Sequence, residues 1–355
     1  IKLQPYKTVR KLHIRNYGFT RLLTFIYVLF TFSGNATKYY VSSSGNDSNP
    51  GTIENLPWRS LEKVNKFFKL YPGDEVLFKR GDSWNGIIIV RSSGTKDNPI
   101  VYGTYGTGDK PRIFGSEVIS GWTLHSGNIY KKVLSNNITQ LFINGKRAQL
   151  ARYPKSGFAF VTTVNSANQF ISTEIASQST DFYKNALWFG KTSTYNLISK
   201  TVTSSTGQTI TINEAPVENL GVNEGFFLAN KPEFLTAAGE WCYDSTTKTV
   251  YAWMPGSDSP ANYEIRGSVN AYGINISTKN YITVQNLQIL HSATDGVWVD
   301  NSDYVTVSNC DIINPARNGI SGQNSSLYMI IDNNTVSNAM GIGIRNIGSN
   351  NGGKS

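Results

Sequence analysis

Seven side chains between positions 291 and 345 have the chemistry of a working site: His291, Asp295, Trp298, Asp300, Arg317, Gln323 and Arg345. Asp295 and Asp300 can give or take a proton and Arg317 can neutralise an anion, so these three are the candidates for catalysis. Trp298 offers a flat apolar surface, while His291, Gln323 and Arg345 can hydrogen-bond or pair with a bound molecule; these four are the candidates for binding. A plainer reading stands beside each, because Asp favours turns, exposed charges are ordinary, and His or Arg often bonds to nearby loops. Spacing singles the set out. Asp295 and Arg317 are 22 residues apart and Asp300 and Gln323 are 23 apart, so a repeat in the low twenties would bring them side by side.

Such a repeat is present. Tyr281-Ile282-Thr283-Val284-Gln285-Asn286 recurs as Tyr304-Val305-Thr306-Val307-Ser308-Asn309 and as Tyr328-Met329-Ile330-Ile331-Asp332-Asn333, at steps of 23 and 24 residues, and glycines 296, 319 and 341 each open an apolar run. Alternation within the runs is that of a strand, and strands recurring at this interval form stacked coils. Ile282, Val284, Leu287 and Ile289 then point inward; Val305, Val307, Cys310 and Ile312 repeat them, followed by Met329, Ile331 and Val336, with Asn334 breaking the series. The outward columns read Asp300, Gln323, Arg345 and, beside it, Trp298, Ser321, Gly343. Neighbouring strands stack about 4.8 Å apart, so one column can meet one ligand. Trp298 among small residues is expected to leave a shelf on which a ring can stack.

These coils resemble the right-handed parallel β-helix of pectate-lyase-like proteins. Asn286, Asn309 and Asn333 are similar to that fold's asparagine ladder, in which Asn tolerates a left-handed bend between two strands. Tyr40-Val41-Ser42, Asp47-Ser48-Asn49-Pro50-Gly51-Thr52, Pro72-Gly73-Asp74 and Asn98-Pro99-Ile100 resemble the opening signature of secreted bacterial β-helix proteins. Phe142-Ile143-Asn144-Gly145-Lys146-Arg147, Ala151-Arg152-Tyr153-Pro154 and Gly239-Glu240-Trp241 resemble a region of β-helix glycoside hydrolases. The resemblance implies a carbohydrate-active protein with a polysaccharide substrate or ligand, either a glycoside hydrolase or a polysaccharide lyase. A non-catalytic glycan-binding or adhesion module is the alternative. Hydrolysis needs two carboxyl groups about 5–5.5 or 6.5–9.5 Å apart, which one or two coil steps supply, yet the Asp300 column holds no second acid. A lyase would set Arg317 or Arg345 against a uronate carboxylate and draw its base from these or His291.

The rest of the chain frames the coils. Richness in Gly, Asn, Ser and Thr with many β-branched residues favours an all-β protein. Residues 1–36 hold six of the 33 basic residues and no acid, followed by the apolar run 22–32 and by Gly34 and Ala36, the layout of a secretory signal peptide cut near Thr37. The run is too short for a comfortable bilayer span. Without these six charges the formal balance falls from +9 to about +3, which removes the case for nucleic acid. Secretion is expected, with no stable membrane span once the leader is gone. Both ends read as cuts in a longer product.

Residues 37–115 are expected to hold the N-terminal cap and first coils. Leu61, Val64, Phe67 and Phe68 recur at helical spacing, which predicts an amphipathic helix over the open end. Val76 to Val101 and Ile88 to Ile113 are each 25 residues and read as successive coils. Residues 116–273 lose the period and read as a β-rich insertion. It has hairpins at Asn144-Gly145, around Gly207 and across 244–248, and its conspicuous charges are Arg152 and Glu240. Residues 274–355 return to the coils. Cys242 and Cys310 make no disulfide framework, and no zinc spacing or cofactor signal occurs. Asp47 and Asn49 could hold Ca2+, although a plain turn explains them as well.

Overall fold

The computed structural model describes residues 36–192, 197–218 and 220–347, so the expected signal peptide lies outside the described residues except for Ala36. Alternating β-branched residues build three parallel sheets. Sheet 1 stacks Lys38–Val41, Glu75–Lys79, Ile100–Tyr105, Ile282–Gln285, Val305–Ser308 and Ile330–Asp332. Sheet 2 stacks Ser83–Asn85, Arg112–Phe114, Gln288–Leu290, Asp311–Ile313 and Thr335–Ser337. Sheet 3 stacks Ile88–Ile89, Ile274–Ser277, Val297–Asp300, Ile320–Gln323 and Ile344–Asn346. The chain visits the sheets in turn, which is a β-helix of five coils among the described residues.

One core fills the solenoid. Ile282, Val284, Leu287, Ile289, Val305, Val307, Cys310 and Ile312 are fully buried, and Met329, Ile331 and Val336 pack against them. Asn334 takes the inward place of Leu287 and Cys310 and meets its polar needs with backbone, accepting from Cys310 N–H (2.9 Å) and donating to Val307 O (2.8 Å). Cys310 and Cys242 are both free and buried, the latter in a core of the insertion.

The first coils differ from the spacing expected of them. Val76 faces Tyr102, not Val101. Ile88 lies on sheet 3 against Ile274, whereas Ile113 lies on sheet 2 between Trp84 and Ile289, so the two do not stack. Two strands of like composition in one coil carry no mark of which sheet they join. The helix is also shorter than expected: α1 spans Leu61–Lys66, with Leu61 and Val64 buried and Phe68 exposed. Its Asn65 amide donates to Ile87 O (2.8 Å) and accepts from Ile89 N–H (2.8 Å), satisfying backbone at the edge of sheet 3. In the loop before it, Asp47 accepts from Arg59 N–H (2.8 Å), Ser60 N–H (2.9 Å) and Ser60 hydroxyl (2.6 Å), so its oxygens are turned to protein donors.

The second coil is interrupted. After Arg112–Phe114 on sheet 2 the chain leaves, and it re-enters sheet 3 only at Ile274–Ser277. The excursion is antiparallel except where Gln149–Leu150 runs parallel to Glu240–Trp241, and it carries two cores of its own, one around Phe170, Trp188 and Phe226 and one around Leu141, Trp241 and Val250. Leu141–Ile143 pairs with Lys146–Arg147 across Asn144 (φ 48°) and Gly145 (φ 73°), the paired left-handed residues of a tight hairpin. Ile198–Thr206 pairs with Thr209–Ile212, and Glu240–Asp244 with Thr249–Trp253.

The recurring glycines mark a close approach. A Cβ on Gly296 would lie 2.3 Å from Ile312 Cγ2, and one on Gly319 would lie 2.4 Å from Val336 Cγ1, so each glycine makes room for the branched residue of the next coil. At Gly343 the nearest atom is 4.0 Å away. Gly296→Ala should therefore lower stability by about 1–3 kcal/mol through overpacking, with Gly343→Ala within about 0.5 kcal/mol of the parent, as read from urea denaturation midpoints.

Candidate functional site

The site is built on the turns that carry the chain from sheet 2 to sheet 3. Each turn opens on a residue in the left-handed region, His291 (φ 59°), Asn314 (φ 58°) and Asn338 (φ 55°), a conformation that His and Asn accept more readily than most. Their spacing repeats the coil period, which is the signal that assigns His291 to a corner. The ring of Phe142 stacks on His291 at 3.6 Å and 7°, Nδ1 lies 3.1 Å from the Ser116 hydroxyl, and only 2% of the residue is exposed. Burial, reinforced by the Arg266 and Arg147 cations, pushes the imidazole down to about 3. His291 is thus a neutral, buried joint between insertion and solenoid. Beside it Gln140 donates to Ser292 O (3.0 Å) and Asn314 O (3.3 Å), and Arg147 donates to Pro315 O (3.2 Å) and Asn338 O (2.9 Å). The insertion grips the turns of three successive coils.

Further along the same turns, Asp295 is fully buried. It accepts Arg317 Nε (2.9 Å), Arg317 Nη2 (2.7 Å) and Asn318 N–H (3.0 Å), a two-pronged pairing that fixes the orientation of the carboxylate. Arg317 keeps 47% of its side chain exposed, and its guanidinium stands 5.6 Å from the centre of the Trp298 ring. Tyr272, from the coil before, stacks on Trp298 at 4.9 Å and 15°. Trp298 is therefore no open shelf. It is bracketed by a phenol and a guanidinium, and the three present one continuous half-exposed surface.

The outward columns on sheet 3 correct one expectation. Asn275, Trp298, Ser321 and Arg345 align, and Ser277, Asp300 and Gln323 align, so Arg345 stands in the Trp298 column rather than that of Asp300. The counterpart of Gly319 is accordingly Gly343 and not Gly341, since Ile320 faces Ile344. The turn through Asn324 and Ser325, both at positive φ, is one residue longer than its predecessor and makes this coil step 24 residues, from Tyr304 to Tyr328 and from Gly319 to Gly343 alike. Asp300 is half-buried, accepts Asn324 Nδ2 (2.7 Å), and is the one carboxylate on this face among the described residues. Gln323 is almost buried, and its Nε2 has no acceptor among the described residues.

The insertion's charges do not join this face. Glu240 is buried and pairs with Lys155 (2.8 Å) and with the N–H groups of Thr236 (3.0 Å) and Ala237 (3.1 Å). Arg152 packs on the Phe227 ring at 3.7 Å and bonds the Pro154 and Gly157 carbonyls. Sequence reasoning passed over Tyr272 because the insertion separates its strand from the rest of its coil. It passed over Phe142 because that residue meets His291 only in the folded chain.

Residues 165–353 match the model of the right-handed β-helix region, more than half of the 355 residues. The chain belongs to the right-handed β-helix family. The match opens inside the insertion, and the first coil and the sheet 1 and sheet 2 strands of the second precede it. A stretch of 96 residues, 26% of this chain, is 41% identical to the lacto-N-biosidase of Bifidobacterium longum subsp. longum, of which it spans only 6%. A solved glycoside hydrolase superposes with a TM-score of 0.63 at 15% identity, over 83% of this chain and 67% of that one, which establishes the shared β-helix fold. The GH136 lacto-N-biosidase of Eubacterium ramulus is 16% identical with a TM-score of 0.33, over 87% of this β-helix chain and 34% of its own.

Neutral burial of His291 has a measurable consequence. The unfolded imidazole takes its proton near 6.5 and the folded one near 3, so the unfolded state binds more protons in that window. The contribution is complete above about pH 6.5 and falls as pH drops toward 3. His291→Phe should flatten the loss of stability between pH 6.5 and 4, and the native imidazole should show no NMR titration from pH 8 to 5.

Proposed function

We propose that the outward face of sheet 3, from Tyr272 to Arg345, is the glycan-binding surface of a secreted, polysaccharide-degrading glycoside hydrolase. The observation that carries this reading is the Tyr272–Trp298–Arg317 surface with Asp300 beside it. Aromatic rings receive the C–H faces of a sugar, while a carboxylate and guanidiniums receive its hydroxyls or acidic groups. The stretch shared with a lacto-N-biosidase supports hydrolysis over elimination. So does the commitment of Arg317 to Asp295, which removes one of the cations a lyase would set against a uronate.

In this reading Asp300 is the carboxylate that reaches the glycosidic oxygen or its attacking water. Asp295 orients Arg317 and transfers no proton, and Gln323 and Arg345 contact the sugar. We further assign residues 1–36 as a leader cleaved near Thr37, α1 as the cap of the first coil, and residues 116–273 as one inserted unit. A second reading, a glycan-binding module without chemistry, is favoured by the single accessible carboxylate on the face, since hydrolysis of a glycosidic bond requires two.

One assay separates these. The protein is incubated with a panel of plant, algal and host polysaccharides while reducing ends and the ultraviolet absorbance of unsaturated uronates are followed. Reducing ends alone support hydrolysis, both signals together indicate a lyase, and persistent binding without product supports the module. Trp298→Ala should weaken glycan affinity about tenfold with the unfolding midpoint unchanged; unaltered affinity would refute the site.

A further inference from the structure

The insertion meets the solenoid at Ala293, which is held from both sides. Its N–H donates to Asn270 O (2.8 Å), and its carbonyl accepts the Thr139 hydroxyl (3.3 Å). Between these two strands of chain opens a crevice of about 430 Å³ rimmed by Glu117, Asn136, Asn137, Lys248 and Asn270. It runs into a smaller hollow of about 220 Å³ that shares Glu117 and Asn136 and has Ile119, Leu134 and Ile138 as its floor.

Three features make this crevice a built site. It is adjacent to the aromatic surface, because Asn270 is two residues from Tyr272 and two residues span at most about 7 Å. It is also rigid: Tyr243 donates its hydroxyl to Asn137 Oδ1 (2.8 Å), Lys248 bonds Ser135 O (3.3 Å), Asn136 bonds Glu117 (3.4 Å), and Gln140 fixes the same loop to the turns. Its chemistry is mixed, with amides, a carboxylate and an ammonium above an apolar floor. That combination matches a ring whose edge is hydroxyls and whose face is C–H. The charged groups of the crevice and its hollow are one carboxylate, Glu117, and two ammoniums, Lys248 and Lys132.

We propose that this crevice is a sugar subsite that receives the next residues of the glycan whose neighbouring units lie on the Tyr272–Trp298 surface. The proposal rests on the glycan-binding reading of that surface. It makes the insertion part of the binding machinery, selecting for chain length.

The test uses the full chain and oligomers of two and of five residues from xylan, polygalacturonate, alginate and chitin, with affinities from isothermal titration calorimetry. Glu117 and Asn136 are both exposed, so Glu117→Ala and Asn136→Ala should leave the unfolding midpoint unmoved. Together they should weaken the five-residue oligomer about tenfold and leave the two-residue oligomer within about twofold. Equal affinities for long and short oligomers in parent and variants, with binding lost in Trp298→Ala, would overturn the subsite and leave the aromatic surface standing. Binding untouched by Trp298→Ala, or no binding of any oligomer by the parent, would overturn both.

Discussion

From the third coil on, the chain turns its corners without a glycine at positive φ among the described residues. In the third coil Tyr281, Asn286, His291 and Asn301 all adopt positive φ, and in the fourth Tyr304, Asn309, Asn314 and Asn324 do the same. A left-handed L-residue costs about 1–2 kcal/mol, so each coil carries several kcal/mol of backbone strain. Stacking of like on like offsets it. The rings of Tyr281, Tyr304 and Tyr328 stack at 4.6 and 4.7 Å, and Asn333 donates to Asn309 at 2.5 Å. Those contacts exist only if successive coils keep step, and the step fixes which outward side chains become neighbours. Trp298, Asp300, Ser321 and Gln323 share a face because the corners beneath them repeat.

The insertion is tied into the same corners. It enters and leaves within one coil and holds the next three through Phe142, Gln140 and Arg147. The turn that carries Ala293 and Asp295 is thereby braced on both sides before it reaches Trp298. A surface held by rigid elements meets a ligand with little ordering cost. Loss of the Phe142–His291 stack would act on binding through position, not through contact.

Much of the solenoid could be read from sequence because inward residues alternate with period two and recur with the coil; Ile282 to Ile312 needed no more than that. The reading slipped where the last glycine-led run was registered on Gly341, two residues short of Gly343, which placed Arg345 in the neighbouring outward column. It slipped again at Ile88 and Ile113, where strand composition does not name the sheet. Among the site candidates, Trp298, Asp300 and Gln323 face outward on sheet 3 as their alternation required. His291 is buried by a partner that no local pattern announces, Phe142 from 149 residues away, whereas the coil period did bring Arg317 beside Asp295 and left only the burial of Asp295 unread. Tyr272 was hidden for the same reason, since an insertion cuts its coil in two.

The central claim is that a glycan lies on sheet 3. Hydrogen–deuterium exchange of the protein with and without a binding oligosaccharide tests it most directly. The account predicts added protection at residues 270–275, 293–300 and 317–323, with the buried strands of sheets 1 and 2 unchanged. Protection confined to sheet 1 or sheet 2, with sheet 3 unaltered, would contradict it.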